Sequence, residues 1–168
     1  MSYVRSALAA LVLTSLPAVA QDFDFTPDRV QSCLAQSQGQ DQLACAGLAA
    51  EDCMENNEFG YSTIGMSYCT GAESDYWDGL LNAVYRDLSR QEKAKDREMA
   101  TTGLKAPETF AAMRDMQRAW IPYRDALCGY EYSQWGGGTG GGPAYAGCLL
   151  HETARQVVVL RSFLNWGE

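Results

Sequence analysis

Six cysteines constrain the fold of this chain more than any other feature of its sequence. They stand at Cys33, Cys45, Cys53, Cys69, Cys128 and Cys148. An even number of cysteines is typical of disulfide-bonded exported domains, in which each bridge fixes two segments at short range. Zinc binding is the competing interpretation, but the chain has no Cys-x-x-Cys pair and a single histidine, His151. We therefore predict three disulfides, no metal site and no cofactor.

The spacing of six cysteines does not by itself determine how they pair. We expect nearest neighbours to be joined, which gives the pairs Cys33–Cys45, Cys53–Cys69 and Cys128–Cys148. The last of these disulfides would close a loop of about twenty residues and offset roughly 3 kcal/mol of unfolded-chain entropy.

The first twenty residues have the pattern of a secretory signal peptide. Arg5 precedes an apolar stretch from Ala7 to about Val19, which ends in an Ala-x-Ala site at Ala20. The apolar stretch is too short to span a bilayer comfortably, and no later segment approaches that length. We expect cleavage near Ala20, a single helical domain over residues 21–168, and a periplasmic or secreted location without a membrane span.

The charge balance limits the classes of partner. The whole chain has a net charge of −8, and loss of residues 1–20 would leave 12 basic and 21 acidic residues, a net charge of −9. Nucleic acids and anionic lipids attract positively charged proteins, so neither is an expected partner. Acidity on its own is mostly a solubility device, but it also favours encounter with a cationic protein.

Helical periodicity runs along most of the chain, and no alternating strand pattern of useful length interrupts it. Thr26-Pro27-Asp28 predicts the start of a first short helix with Thr26 as its N-cap, and a second runs from about residue 41 to 56. A first long helix runs from about Ile64 or Thr70 to Glu98, a second begins at Pro107, and a third runs from about Pro143 to Asn165. The prediction is an all-α fold, a small antiparallel bundle of about three long helices with short N-terminal helices, cross-linked by disulfides.

The second long helix places polar side chains on its apolar face. Its three-and-four spaced stripe consists of Phe110, Met113, Gln117, Trp120, Arg124 and Leu127. Burying the polar members of this stripe without partners would cost several kcal/mol. We therefore predict a structural polar network, with direct binding as the alternative role. Its expected members are Asn82, Tyr85, Gln117, Trp120, Arg124, Asp125 and Thr153.

A glycine-rich run, residues 136–142, lies between the last two cysteines. It lacks the Gly-Lys-Ser/Thr ending of a phosphate-binding loop and follows no predicted strand, so we expect no nucleotide site of that kind. By composition the run is flexible. The aromatic residues that flank it are Tyr130, Tyr132, Trp135 and Tyr145. They are either a partner-binding surface on a tethered loop or a cover that packs over the helix ends.

No catalytic pattern emerges from the remaining residues. His151 lacks an accompanying nucleophile elbow, metal-ligand spacing or dinucleotide fingerprint. Glu73 and Asp125 are the nearest candidates for an acid, but neither has the apolar setting that raises a carboxyl pKa. The acidic start of the first long helix, which includes Glu73, Asp75 and Asp78, is interpreted as a solvated face that complements the helix dipole. We predict no catalytic residue and no enzymatic activity.

Two motifs connect the chain to a family. The first follows Cys53, Cys69 and Glu73 and reads Trp77-Asp78-x-x-Leu81-Asn82-x-x-Tyr85. The second reads Gln117-Arg118-Ala119-Trp120-Ile121-x-Tyr123-Arg124-Asp125-Ala126-x-Cys128 and is followed by Cys148 and Thr153. With these residues, segment 50–164 resembles the LprI-like lysozyme-inhibitor domain. The resemblance implies an exported helical domain with two disulfides, to which the first cysteine pair would add a third.

The family pattern is not matched everywhere. This chain has no lipid-attachment cysteine after its expected cleavage site, and it has Pro122 and the glycine run within the most characteristic region. We predict a periplasmic helical binding module that inhibits a cationic, lysozyme-like enzyme through an acidic surface and the Cys128–Cys148 loop. The alternative is a non-enzymatic structural or interaction protein of the cell envelope with a different protein partner.

Overall fold

The computed structural model describes residues 23–164 of the chain. The expected signal peptide and the predicted helix end at residue 165 lie outside the described residues. Between Phe23 and Leu164 the secondary structure is helical, without strands, so the all-α prediction is confirmed. The elements are α1 (Asp28–Gln36), a 3-10 helix (Gly39–Cys45), α2 (Leu48–Asn56), α3 (Thr63–Thr101), α4 (Thr109–Ser133) and α5 (Gly141–Leu164).

The three long helices α3, α4 and α5 form an up-down-up bundle. Helix α5 packs against both other helices and most extensively against α3. Cys128 and Cys148 lie on either side of the α4–α5 turn with their Cα atoms 5.4 Å apart, so these two helices run antiparallel. The Gln91 amide of α3 donates to the carbonyl of Phe163 at 3.2 Å, which places the late parts of α3 and α5 side by side in parallel.

The core lies mainly between α3 and α5. Its central buried residues are Trp77, Leu81, Val84 and Leu88 of α3 and Leu150, Ala154, Val157 and Leu160 of α5. These residues recur three or four apart on each helix and therefore share one face. Trp77 is fully buried. A tryptophan of this kind removes about 200 Å² from water, worth roughly 5 kcal/mol as an upper estimate.

The N-terminal elements cover this bundle, and two predictions about them are wrong. Val30, Cys45 and Ala49 are buried and join the core. The helix predicted over 41–56 is divided into a 3-10 helix and α2 because Gly47 has φ +99°, a left-handed conformation that ends helical progression. Helix α1 has Pro27 as its N-cap residue and no side-chain cap, so Thr26 does not cap it.

The ends of the long helices are defined by polar contacts. Helix α3 begins where the hydroxyl of Ser62 accepts the Gly65 N–H at 3.0 Å. Helix α4 begins at Thr109 rather than Pro107, and its cap comes from α3. The carboxylate of Asp96 accepts the N–H groups of Thr109 and Phe110 at 2.7 and 3.0 Å. Partial burial raises the pKa of Asp96, but these hydrogen bonds outweigh it and leave the pKa below its ordinary value.

The three disulfides each join consecutive helical elements, and their connectivity is the nearest-neighbour pairing expected from the sequence. Cys33–Cys45 joins α1 to the 3-10 helix, Cys53–Cys69 joins α2 to α3, and Cys128–Cys148 joins α4 to α5. The Cα–Cα distances of 5.4–5.6 Å lie in the ordinary range for disulfides. No helix between residues 23 and 164 combines the length and hydropathy needed to cross a bilayer.

Candidate functional site

The segment from Cys128 to Cys148 is the tip of the α4–α5 helical hairpin, and we call it the hairpin tip. The sequence predicted a flexible loop here, but only residues 134–140 lie outside the helices. Those residues form hydrogen-bonded turns, in which Gly138 donates to the Trp135 carbonyl at 2.8 Å. Gly136 and Gly137 have φ values of +55° and +85°, which side chains disfavour. The glycines therefore form a tight turn that connects α4 to α5.

Aromatic rings cover this turn and remain accessible. The ring of Trp135 lies directly on Gly140, where an added Cβ would come within 2.1 Å of it. Tyr132 and Tyr145 meet edge to face with ring centroids 6.5 Å apart. Exposure is nevertheless 64% for Tyr130 and 52% for Trp135. Trp135 and Tyr132 therefore pack against glycines of the turn, as a cover over the helix ends would, while a partner-binding role of the exposed rings stays a prediction.

The residues expected to form one polar network make separate contacts. Gln156 donates its amide to Gln117 Oε1 at 2.8 Å, linking α5 to α4. Arg124 donates to Asp125 Oδ1 through Nε and Nη2, at 3.0 and 2.8 Å. Its guanidinium also lies over the Trp120 ring, 4.9 Å from the centroid, at a cation–π distance.

Two further members of the predicted network differ in burial. Thr153 is buried within the core face of α5. Asn82, which was also expected in the network, is exposed, and its NH₂ group donates to Asp78 Oδ2 at 2.8 Å. The reason is helical geometry, since one residue beyond the buried Leu81 the helix surface has turned by about 100°. Within residues 23–164 the hydrogen bonds of Asn82, Gln117 and Arg124 are separate local pairs with Asp78, Gln156 and Asp125.

Most residues of the two family motifs line a groove between α3 and α4. Its volume is about 310 Å³. From α3 it is lined by Asp78, Leu81, Asn82 and Tyr85, and from α4 by Arg114, Gln117, Arg118, Trp120, Ile121 and Arg124. The motif residues therefore meet in space although they lie about forty positions apart in sequence.

Sequence reasoning missed the role of Glu73. This side chain is fully buried, so its assignment to a solvated helix face is wrong. Its carboxylate accepts the N–H groups of Gly47 and Ala50, each at 2.7 Å, and the indole N–H of Trp77 at 3.0 Å. Glu73 thus caps the start of α2 from α3. The available signal was its position four residues before Trp77, on the same face of the helix.

The remaining titratable candidates make ordinary surface contacts. His151 is exposed on α5. Asp125 is half exposed and pairs with Arg124. No group of three or more His, Cys, Asp or Glu side chains that could hold a metal ion occurs in the part of the chain that the structure describes.

Comparison with known proteins places the chain in a family. The family sequence model described as lysozyme inhibitor LprI matches residues 53–160. This segment includes α3, α4 and two of the three disulfides. An uncharacterized protein of Rhizobium meliloti (strain 1021) is 26% identical over 107 residues, which are 64% of this chain and 77% of that protein. No solved structure matches the chain. Because the family model covers well over half of the sequence, the chain belongs to the LprI lysozyme inhibitor family.

Proposed function

We propose that this protein is an exported, non-enzymatic inhibitor of a cationic, lysozyme-like enzyme. Membership of the LprI family is the observation that carries the proposal. The proposal includes a signal peptide over residues 1–20 and a single helical domain over 21–168, which acts in the periplasm or outside the cell. Three disulfides support export, because such bridges form and persist in oxidising compartments.

We assign the main contact surface to the hairpin tip. Tyrosine and tryptophan are enriched among the residues that dominate binding energy at protein interfaces. Here they project from the end of two helices that a disulfide joins, so little conformational freedom would be lost on binding. The close packing of Trp135 on Gly140 supports such preorganisation.

Charge would assist the encounter. A net charge of −8, or −9 without residues 1–20, attracts a basic enzyme over about one Debye length, close to 10 Å at 0.1 M salt. Electrostatic attraction of this kind acts mainly on the association rate. We therefore expect the association rate to fall as salt increases, while the dissociation rate depends on the aromatic contacts.

The test measures lysozyme turnover of a cell-wall substrate with the mature protein in excess at low salt. Trp135→Ala and Tyr130→Ala should each weaken inhibition about tenfold or more, since central aromatic contacts contribute about 2 kcal/mol or more. Tyr61→Ala is the matched control, because Tyr61 is equally exposed at 61% but lies in the α2–α3 connection.

Two outcomes would contradict the proposal at different levels. Unchanged lysozyme turnover with wild-type protein in large excess at low salt would reject inhibition and favour an interaction protein with another partner. Inhibition that survives both tip substitutions would retain the function but remove the hairpin tip as its contact surface.

A further inference from the structure

We propose that the α3–α4 groove is a binding site for a small organic carboxylate that also carries hydroxyl or amide groups. This site is separate from the hairpin tip and does not depend on lysozyme inhibition. Its volume of about 310 Å³ lies at the lower end of the range for ligand pockets, which suits a body of about monosaccharide size.

The arginine side chains on the α4 side of the groove are the groups that would bind the carboxylate of the ligand. Three of the 13 basic residues in this acidic chain, Arg114, Arg118 and Arg124, line the groove from α4. Arg114 and Arg118 are four positions apart and share one side of the helix, whereas Arg124 lies about 120° around the helix from Arg118. Arginine presents N–H groups in a planar fork that matches a carboxylate.

Two of these guanidinium groups are held in place by hydrogen bonds and still have N–H groups that can donate to a ligand. Arg114 and Arg124 each donate Nε and Nη2 to the aspartate that follows in the chain, which leaves Nη1 for another acceptor. Arg118 is exposed and makes no ion pair with any residue between 23 and 164. Arg118 is therefore the cation best placed to receive a new anion.

The opposite wall restricts where the carboxylate lies. Asp78 stands on the α3 side, where it accepts the amide of Asn82. Its negative charge repels a ligand carboxylate from α3 and directs it toward the arginines of α4. The ligand must therefore be asymmetric, with its anionic group at α4 and its neutral polar groups at α3.

The neutral polar side chains in the groove account for the hydroxyl or amide groups of the proposed ligand. The Gln117 carbonyl is occupied by Gln156, so its NH₂ group remains to donate. The amide of Asn82 is occupied by Asp78, so its carbonyl remains to accept. A hydroxyl or acylamino group of the ligand can accept from the NH₂ group of Gln117 and donate to the carbonyl of Asn82. Trp120 and Tyr85 supply apolar surface against which a ligand ring can pack.

Calorimetric titration of the full mature protein tests the site with three probes. N-acetylmuramic acid carries the carboxylate, hydroxyl and acylamino groups, N-acetylglucosamine lacks the carboxylate, and inorganic phosphate lacks the sugar. We expect a dissociation constant of about 0.1–1 mM for N-acetylmuramic acid and at least tenfold weaker binding of the other two probes.

Arginine variants connect the binding to the groove. Arg118→Gln should weaken binding of N-acetylmuramic acid about tenfold, since it removes a charge-assisted contact. Arg97→Gln is the control, because Arg97 is also exposed but lies about twelve residues beyond Tyr85, the last residue of α3 that lines the groove. Both are surface changes, so unchanged circular dichroism should accompany them.

Four results would overturn the assignment. Equal binding of the neutral sugar would show that no carboxylate is recognised. Equal binding of phosphate would show a general anion site without the proposed neutral contacts. An affinity that Arg118→Gln leaves unchanged, or the absence of saturable binding, would remove the groove as the site.

Discussion

Replacing Glu73 by glutamine alters the contact that joins α2 to α3 while almost preserving the size of the side chain. In the native protein one carboxylate oxygen accepts from Gly47 and Trp77, and the other accepts from Ala50. Glutamine keeps a single oxygen. If that oxygen keeps the hydrogen bonds from Gly47 and Trp77, the new NH₂ group faces the N–H of Ala50. Two buried hydrogen-bond donors then point at each other without an acceptor.

The expected loss of stability follows from these contacts. A buried donor left without an acceptor costs about 1–3 kcal/mol, and the two retained bonds lose the charge that strengthened them. Loss of a negative charge at the start of α2 adds about 0.3–1 kcal/mol. We expect Glu73→Gln to lower the free energy of unfolding by roughly 2–4 kcal/mol, which corresponds to a fall in Tm of roughly 5–15 °C.

Urea denaturation followed by circular dichroism and tryptophan fluorescence measures this change. Asp75→Asn is the matched control, since it makes the same charge change at an exposed position on α3 and should shift stability by less than about 0.5 kcal/mol. Hydrogen exchange should also lose protection at the Ala50 amide. A stability of Glu73→Gln within about 0.5 kcal/mol of wild type would refute the capping role assigned to Glu73.

Three further perturbations address other parts of the molecule. Replacing both Cys128 and Cys148 by serine should lower the unfolding free energy by about 3 kcal/mol through greater unfolded-chain entropy, measured by urea denaturation. Gly140→Ala should displace the ring of Trp135, because an added Cβ lies 2.1 Å from it, and should change tryptophan fluorescence with little loss of stability. Asp96→Asn should reduce the acid sensitivity of unfolding. The lowered pKa of Asp96 means that its stabilisation is present above its ordinary pKa of 3.8 and is lost as pH falls below that value.

Each of these predictions has a control or a contrary result. An unchanged urea midpoint for the double serine variant would show that helix packing alone holds the hairpin tip. Gly129→Ala is the control for Gly140, since a Cβ at Gly129 meets no other atom within 4 Å. For Asp96, an identical acid unfolding profile in the asparagine variant would contradict the cap, and Asp75→Asn again controls for charge.

Several features of the fold were predictable because local patterns encode them. Helical periodicity identified the three long helices. Neighbouring cysteines pair because each disulfide joins elements that are consecutive in the chain. The flexibility predicted for residues 136–142 stays a prediction, and composition alone did not show that the ring of Trp135 packs on Gly140.

The sequence by itself determined an all-helical, disulfide-linked member of the LprI family, since periodicity, cysteine number and family motifs are properties of short segments. Only the tertiary structure decided that Glu73 caps α2 and that Asp96 caps α4. It also decided that two distant motifs share one groove. These contacts depend on which helix ends and faces meet after folding. A carboxylate that caps another helix has the same local sequence pattern as one exposed to water.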